Sequence, residues 1–482
     1  MQFNSYIFIF LCLPVTVCLY FAANRFRAGA GRLVLILSGI WFYSLGRMNM
    51  LGYLLFSIFI NYAAAFLIRK KALSAKAVEI VTVIINICIL IYFKYFNFIL
   101  SNINVLSGTS FAMKEMILPL GISFYTFQQI SWIVSVSKGE LDHAGLIDYL
   151  AYILYFPKLI MGPLIEPKNF ISQLHDPDRM TFSADHLASG IRLFSYGLLK
   201  KVLLADTFAR ASGWVYGNLE TATSMDCVLL ILFYTFEIYF DFSGYSDMAV
   251  GISEMINIDL PANFDSPYKA LSIRDFWKRW HMSLTMFLTR YIYIPLGGSR
   301  KGRMMTYVNT MIVFLISGLW HGANWTFVLW GFLHGLLSCL DRIFEKQEEK
   351  VFVPVRWMIT MTAVSILWLL FSAESVSQWR QILVKIIEMK NLNISAGLIS
   401  NFRIGESTFL ISLFHLEKAD ARIRGFGMLV FILVSSAVCL IPENGYRTRA
   451  KLNPFSFVLA AICFVWGVLC LGAESTFVYF GF

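Results

Sequence analysis

The sequence predicts an all-α, multi-pass membrane protein, and three observations carry that expectation. Of 482 residues, 58% are hydrophobic and only 15% charged, with a mean hydropathy of +0.65, where soluble domains carry roughly a quarter charged residues. Aromatic residues make up 16% of the chain, including 44 Phe, 22 Tyr and 12 Trp. A water-exposed surface carries such a load only as large apolar patches, whereas a bilayer absorbs it. Apolar windows long enough to cross about 30 Å of hydrocarbon, roughly 20 residues each, recur from end to end. They are apolar all round and lack the period-two alternation of a barrel strand, so the expected spans are helices.

The first window, 5 to 23, opens on MQFNSYIFIF. It lacks the basic stretch that precedes the apolar core of a cleaved signal peptide, and is read as a retained first span. Further windows lie at 50 to 68, 79 to 97, 116 to 136, 147 to 165, 226 to 252, 305 to 320, 325 to 341, 355 to 372, 424 to 441 and 454 to 472. The stretches 33 to 45, 188 to 206 and 281 to 296 are shorter or more polar and are expected to be tilted, interfacial or re-entrant. The total is roughly a dozen helices, in one membrane-embedded domain over 1–482.

Orientation follows from the loop charges. Arg25, Arg27 and Arg32 mark one loop, and Arg69, Lys70, Lys71 and Lys76 another. Both are read as cytoplasmic by the positive-inside rule, with the N-terminus outward. The dense run from Lys269 through Arg274, Lys278, Arg279, Arg290, Arg300, Lys301 and Arg303 belongs on the same side. Crossings between these anchors have the wrong parity if every window spans, so at least one does not. The segment 188 to 206 is the weakest, because Arg192, Lys200 and Lys201 interrupt it and mid-bilayer charge is costly.

The excess of 40 Lys+Arg over 30 Asp+Glu gives +10. In a membrane chain that charge faces anionic headgroups, and with no nucleic-acid-binding module in view a nucleic-acid partner is not expected. The eight cysteines fall in or beside apolar stretches without CxxC spacing, so neither a disulfide framework nor a metal site is expected.

Three polar concentrations interrupt the apolar windows. Ser317-Gly-Leu-Trp320-His321-Gly322-Ala323-Asn324-Trp325 places a histidine at membrane depth, where it must face a partner or a wet cavity. Asn324 is a candidate to hydrogen-bond the imidazole. Arg274-Asp-Phe-Trp277-Lys278-Arg279-Trp280-His281-Met-Ser283-Leu-Thr285 fits a headgroup interface, and equally a site for the phosphates of an acyl donor. On one continuous helix His281 would share a face with Trp277 and Thr285. Asp241-Phe-Ser243-Gly244-Tyr245-Ser246-Asp247 holds two carboxylates six residues apart, which are not on one helical face and do not form a paired acid/base device. Of the other histidines, His143, His175, His186 and His415 lie in polar surroundings, while His334 in Trp330-Gly-Phe-Leu-His334-Gly335 is intramembrane and open to either packing or catalysis.

These blocks together resemble the membrane-bound O-acyltransferase superfamily. The resemblance rests on Trp320-His321-Gly322-Ala323-Asn324-Trp325-Thr326 and on Trp277-Lys278-Arg279-Trp280-His281-Met282-Ser283 followed by Tyr293-Ile-Pro295-Leu-Gly297-Gly298-Ser299-Arg300. It rests also on Asp241 to Asp247, with core motifs over 93–341 and C-terminal helices over 355–482. Phe371-Ser-Ala373-Glu374-Ser375 and the terminal Phe477-Val-Tyr479-Phe-Gly-Phe482 are similar to the bacterial alginate O-acetylation branch. Lys158, Glu166, Ser135 and Ser137 depart from that branch's usual residues.

The resemblance implies a helical bundle around a central tunnel in a bacterial inner membrane, with some helices re-entrant or interfacial. It implies that an acetyl group moves from a cytoplasmic donor, acetyl-CoA, toward an exported polysaccharide, with no bound cofactor and no metal. An extracytoplasmic SGNH-type acetyltransferase is the implied partner. His321 matches the catalytic histidine, His281 the second histidine, and Trp277, Lys278, Arg279, Asn324, Asp241 and Asp247 are the substrate-binding candidates. D-alanyl transfer to teichoic acid and peptidoglycan O-acetylation are the alternatives within the superfamily, and a polysaccharide or lipid transporter is the alternative from a different class.

Overall fold

The computed structural model describes residues 2–45, 48–348, 350–402, 408, 411–415, 419–449 and 453–472. The terminal motif 477 to 482 lies outside the described residues. The chain is an all-α, multi-pass membrane protein, in which eight helices among the described residues are long and apolar enough to cross a bilayer. Its helices fall into two compact units.

The first unit comprises Met1–Leu198, Tyr245–Ala262 and Arg449–Leu471. It opens with a π-helical turn, Phe8–Cys12, that runs into α1 (Leu13–Phe26). There follow α2 (Gly31–Ser44), α3 (Met48–Arg69), α4 (Ala75–Ser107), α5 (Ile122–Ser137), α6 (Leu146–Ile153), α7 (Phe156–Leu159), α8 (Pro167–His175) and α9 (Ala184–Leu199). Buried amides join α3 to α4, Asn61 and Asn86 each donating to the other's side-chain oxygen at 3.1 and 2.8 Å. Such pairs satisfy polar groups that lipid cannot.

Two expected spans break in this unit. The window 147 to 165 becomes two short helices, α6 and α7, and then irregular chain through Gly162-Pro163. The window 116 to 136 begins as irregular chain and forms only α5, buried on nearly every face. Pro157 and Pro163 remove backbone donors, and non-helical backbone at such depth is tolerated where protein covers it. Between the basic stretches at 69–76 and 269–303, the helices long and apolar enough to cross a bilayer among the described residues are α4 and Ser224–Met255. The weak segment 188 to 206 is helical, and protein covers two of its three interrupting cations, Lys200 being half-buried. Arg192 is 3% exposed and Lys201 1%.

The second unit contains Leu199–Gly244 and Asn263–Thr448. A π-helical turn, Lys200–Ala205, leads into α10 (Asp206–Gly217) and α11 (Ser224–Met255), whose last part belongs to the first unit. Then come α12 (Ile273–Arg279), α13 (Met282–Leu288), a π turn Thr289–Tyr293, α14 (Arg303–His321), α15 (Trp325–Glu348), α16 (Val353–Ser372), α17 (Val376–Glu388), α18 (Ala396–Ser400) and α19 (Asp420–Leu440). Near the C-terminus α20 (Pro454–Leu469) returns to the first unit.

α14 and α15 form a tight hairpin because glycines let their backbones touch. A Cβ on Gly318 would sit 2.3 Å from the Phe327 carbonyl oxygen, and one on Gly331 would sit 2.4 Å from that of Phe314. Small residues at helix crossings of this kind are the usual device for close packing in lipid. The hairpin fixes the turn that bears His321.

Candidate active site

His321 is the last residue of α14, and it is 4% exposed. The chain leaves the helix at Gly322 in an extended conformation, where a Cβ would lie 2.1 Å from the Phe327 ring. Only glycine fits against that ring. Three aromatic rings wall the imidazole, with centroids at 4.8 Å for Trp320, 5.2 Å for Trp330 and 5.1 Å for Phe371.

His281 does not lie on one continuous helix with Trp277 and Thr285, as its spacing suggested. α12 ends at Arg279, α13 starts at Met282, and His281 adopts a left-handed φ of 46° between them. The break is pinned by segment 263–265, since the Met282 N–H donates to the Asn263 carbonyl and the Asp265 N–H to that of Arg279, both at 2.9 Å. A non-glycine residue in that region carries strain, which persists where surrounding structure enforces it. His281 is 1% exposed, edge-on to Phe242 at 4.6 Å, and neither ring nitrogen has a hydrogen-bond partner among the described residues. Burial pushes its pKa down, so the ring is neutral.

Trp320 joins the two histidines, its ring 6.1 Å from His281 and 4.8 Å from His321. A third histidine, His334 on α15, is fully buried 4.7 Å from Trp330. Trp277 donates its indole N–H to Nδ1 of His334 at 3.3 Å. Trp368 on α16 closes this chamber, 6.0 Å from Trp330. An imidazole walled by aromatic rings is suited to taking a proton while limiting the access of water to a reactive acyl group.

The remaining candidates are placed as follows. Lys278 is exposed, whereas Arg279 pairs with Asp275 at 2.8 Å, and Arg274 lies 2.6 Å from Glu345 and donates its backbone N–H to Asp341 at 2.7 Å. Asn324 does not bond an imidazole. It accepts the Thr326 N–H at 3.1 Å as the cap of α15 and donates to the Glu374 carbonyl at 2.8 Å. Asp241 is buried 2.6 Å from Lys201 Nζ, which also lies 2.7 Å from Asp206. Asp247 is half-buried in the portion of α11 that belongs to the first unit. Among the described residues no three His, Cys, Asp or Glu side chains are placed to hold a metal ion.

Sequence reasoning left Lys201 as an obstacle to a span and gave Trp330 and Trp368 no role. The i, i+4 spacing of Trp330 and His334 was the available signal for the first two members of the chamber. Nothing local marks Trp368.

The membrane-bound O-acyltransferase family model matches residues 37–377. The chain is 31% identical to a peptidoglycan O-acetyltransferase of Helicobacter pylori, over 100% of this chain and 97% of that protein. It is 38% identical to a probable alginate O-acetylase of Pseudomonas aeruginosa, over 79% of this chain and 74% of that protein. A teichoic acid D-alanyltransferase of Bacillus subtilis is 29% identical over 51% of this chain and 65% of its own length. With histidines walled in aromatic rings inside the matched region, the chain belongs to the membrane-bound O-acyltransferase family and is an acyltransferase.

Proposed function

We propose that the protein moves an acetyl group from a cytoplasmic donor, acetyl-CoA, across a bacterial inner membrane for O-acetylation of an exported envelope glycan. The observation that carries the reading is the buried aromatic enclosure of His321 at the end of a 19-residue helix whose other end begins at Arg303, just after Arg300 and Lys301. A helix of that length rises about 28 Å, close to a hydrocarbon thickness. On the orientation read from the loop charges, donor phosphates would meet cations on the cytoplasmic side and His321 would act toward the outer side.

In this reading His321 is the general base. It takes the hydroxyl proton as that oxygen attacks the thioester carbonyl, and returns it to the leaving thiolate. Neutral His281, across Trp320, is the second polar group facing the reacting centre. Lys278, exposed and beside the chamber, is the favoured cation for the donor, with Trp277 and Arg279 shaping that rim. An extracytoplasmic SGNH-type acetyltransferase would pass the acetyl group to the final polymer. The relatives name peptidoglycan and alginate as acceptors, which supports an envelope glycan as the class.

D-alanyl transfer is the second reading, favoured by the teichoic acid relative. The test is to express wild type and His321→Gln with the partner genes, feed labelled acetate and labelled D-alanine separately, and measure ester-linked label in the envelope. Acetate label that disappears in His321→Gln at equal expression is the expected result. Full labelling by the variant would overturn the general-base role, and D-alanine label would overturn the acetyl assignment.

A further inference from the structure

Trp330, which borders His321, and its neighbours Trp368 and His334 hold three buried N–H groups with no acceptor among the described residues. Nε1 of Trp330, Nε1 of Trp368 and Nε2 of His334 are each buried without a hydrogen-bond partner among the described residues. That Nε2 carries the proton follows from the other ring nitrogen. The Trp277 indole donates to Nδ1 at 3.3 Å, so Nδ1 holds the lone pair and the neutral ring is protonated on Nε2. The second nitrogen of a histidine is commonly set by the first in this way.

The three rings are mutual neighbours. Centroids of Trp330 and His334 lie 4.7 Å apart, those of Trp330 and Trp368 6.0 Å, and those of His334 and Trp368 6.3 Å. Trp330 in turn lies 5.2 Å from His321. A buried donor left without an acceptor costs about 1–3 kcal/mol, a cost that one shared acceptor would relieve for three donors whose rings touch one another. These three neighbouring groups are donors, which suit an electron-rich oxygen and repel a cation. Close to a proton-accepting imidazole, the chemistry that supplies such an oxygen is an acyl carbonyl under attack.

We propose that Trp330, Trp368 and His334 form an oxyanion-binding site for the carbonyl oxygen of the transferred acyl group. The acceptor's hydroxyl oxygen bonds to the carbonyl carbon while its proton passes to the general base, and the C=O pair moves onto oxygen, where these N–H groups receive it. The oxyanion then returns its pair, the C–S bond breaks, and the thiolate leaves and takes the proton. Trp277 is the positioning residue, since it acts through the tautomer of His334. The inference deepens the function proposed above and rests on it for the thioester and the base, but it does not depend on which acyl group is carried.

The test compares the full chain in cells with its partner genes, reading the rate of ester-linked acyl formation for whichever acyl group the wild type transfers. His334→Phe keeps a ring and loses the donor, and is expected to slow transfer about 100-fold, the lower end of what removal of one oxyanion donor does. His334→Gln restores an N–H near Nε2 and is expected to recover at least tenfold of that loss. Trp330→Phe and Trp368→Phe are expected to slow transfer without lowering the thermal stability of the purified protein by more than a cavity-sized amount. Transfer by His334→Phe within threefold of wild type overturns the site, as do equally slow Phe and Gln variants, which would make His334 a packing residue. His321→Gln is measured in parallel. A fully active His321→Gln beside a slow His334→Phe defeats the general-base reading alone, and the reverse pattern defeats the oxyanion site alone.

Discussion

Lys201 Nζ lies 2.6 Å from Oδ1 of Asp241, with side chains 1% and 2% exposed. The lysine sits in a π-helical turn and the aspartate on α11, forty residues later, and Asp206 takes a second bond from the same ammonium at 2.7 Å. The network compensates Lys201, one of the three cations that made 188 to 206 unattractive as a span. Removing one partner leaves the others buried and uncompensated. Lys201→Met is therefore expected to cost about 3–5 kcal/mol, read as lost folded protein in a detergent melt. If Asp241 binds substrate instead, Asp241→Asn slows transfer with an unchanged melt.

Lys158 is fully buried with no carboxylate at ion-pair distance among the described residues. Its Nζ donates to Gln128 Oε1 at 2.8 Å and stands 3.5 Å over the Tyr152 ring. Burial pushes its pKa well below 10.5. The unfolded chain keeps that proton until pH nears 10.5 while the folded chain releases it earlier, so stability rises with pH between the two values. The slope for one proton is at most about 1.4 kcal/mol per pH unit. Lys158→Met is expected to remove this slope and to raise the melt at pH 7, as followed in melts from pH 7 to 10. A slope that persists in the variant would assign it to another group.

The basic block divides into paired and unpaired cations. Arg274 is tied to Glu345 and to buried Asp341, whereas Lys278 is exposed. Arg274→Gln is expected to lower stability. Lys278→Gln is expected to leave the melt unchanged and to raise the apparent KM for the acyl donor several-fold, an effect that weakens with added salt because exposed charges are screened. Donor titrations at two ionic strengths check both.

Close packing of the α14–α15 hairpin makes its own prediction. Gly331→Ala pushes a methyl group against the Phe314 carbonyl oxygen, and overpacking of this kind costs about 1–3 kcal/mol. Because the hairpin carries His321, Trp330 and His334, the variant is expected to lose transfer activity more steeply than stability. Asn324→Ala, which removes only a cap and the tie to Glu374, is expected to cost about 1 kcal/mol with activity largely kept. Melts and transfer rates of the two variants side by side make the comparison.

The sequence by itself determined the membrane class, eight of the long apolar helices, and the presence of histidines among the apolar runs. Those properties are sums over neighbouring residues, and hydropathy and local spacing record them directly. Tertiary structure decided what the polar residues face. That His281 sits in a left-handed break and not on the face of Trp277, that Trp320 stands between it and His321, and that Asp241 answers Lys201 all depend on elements far apart in the chain. Trp368 reaches the chamber from α16 with no local mark at all. Burial of a charge or a donor is set by whatever covers it. In this chain the cover comes from helices tens of residues away, where no window or motif extends.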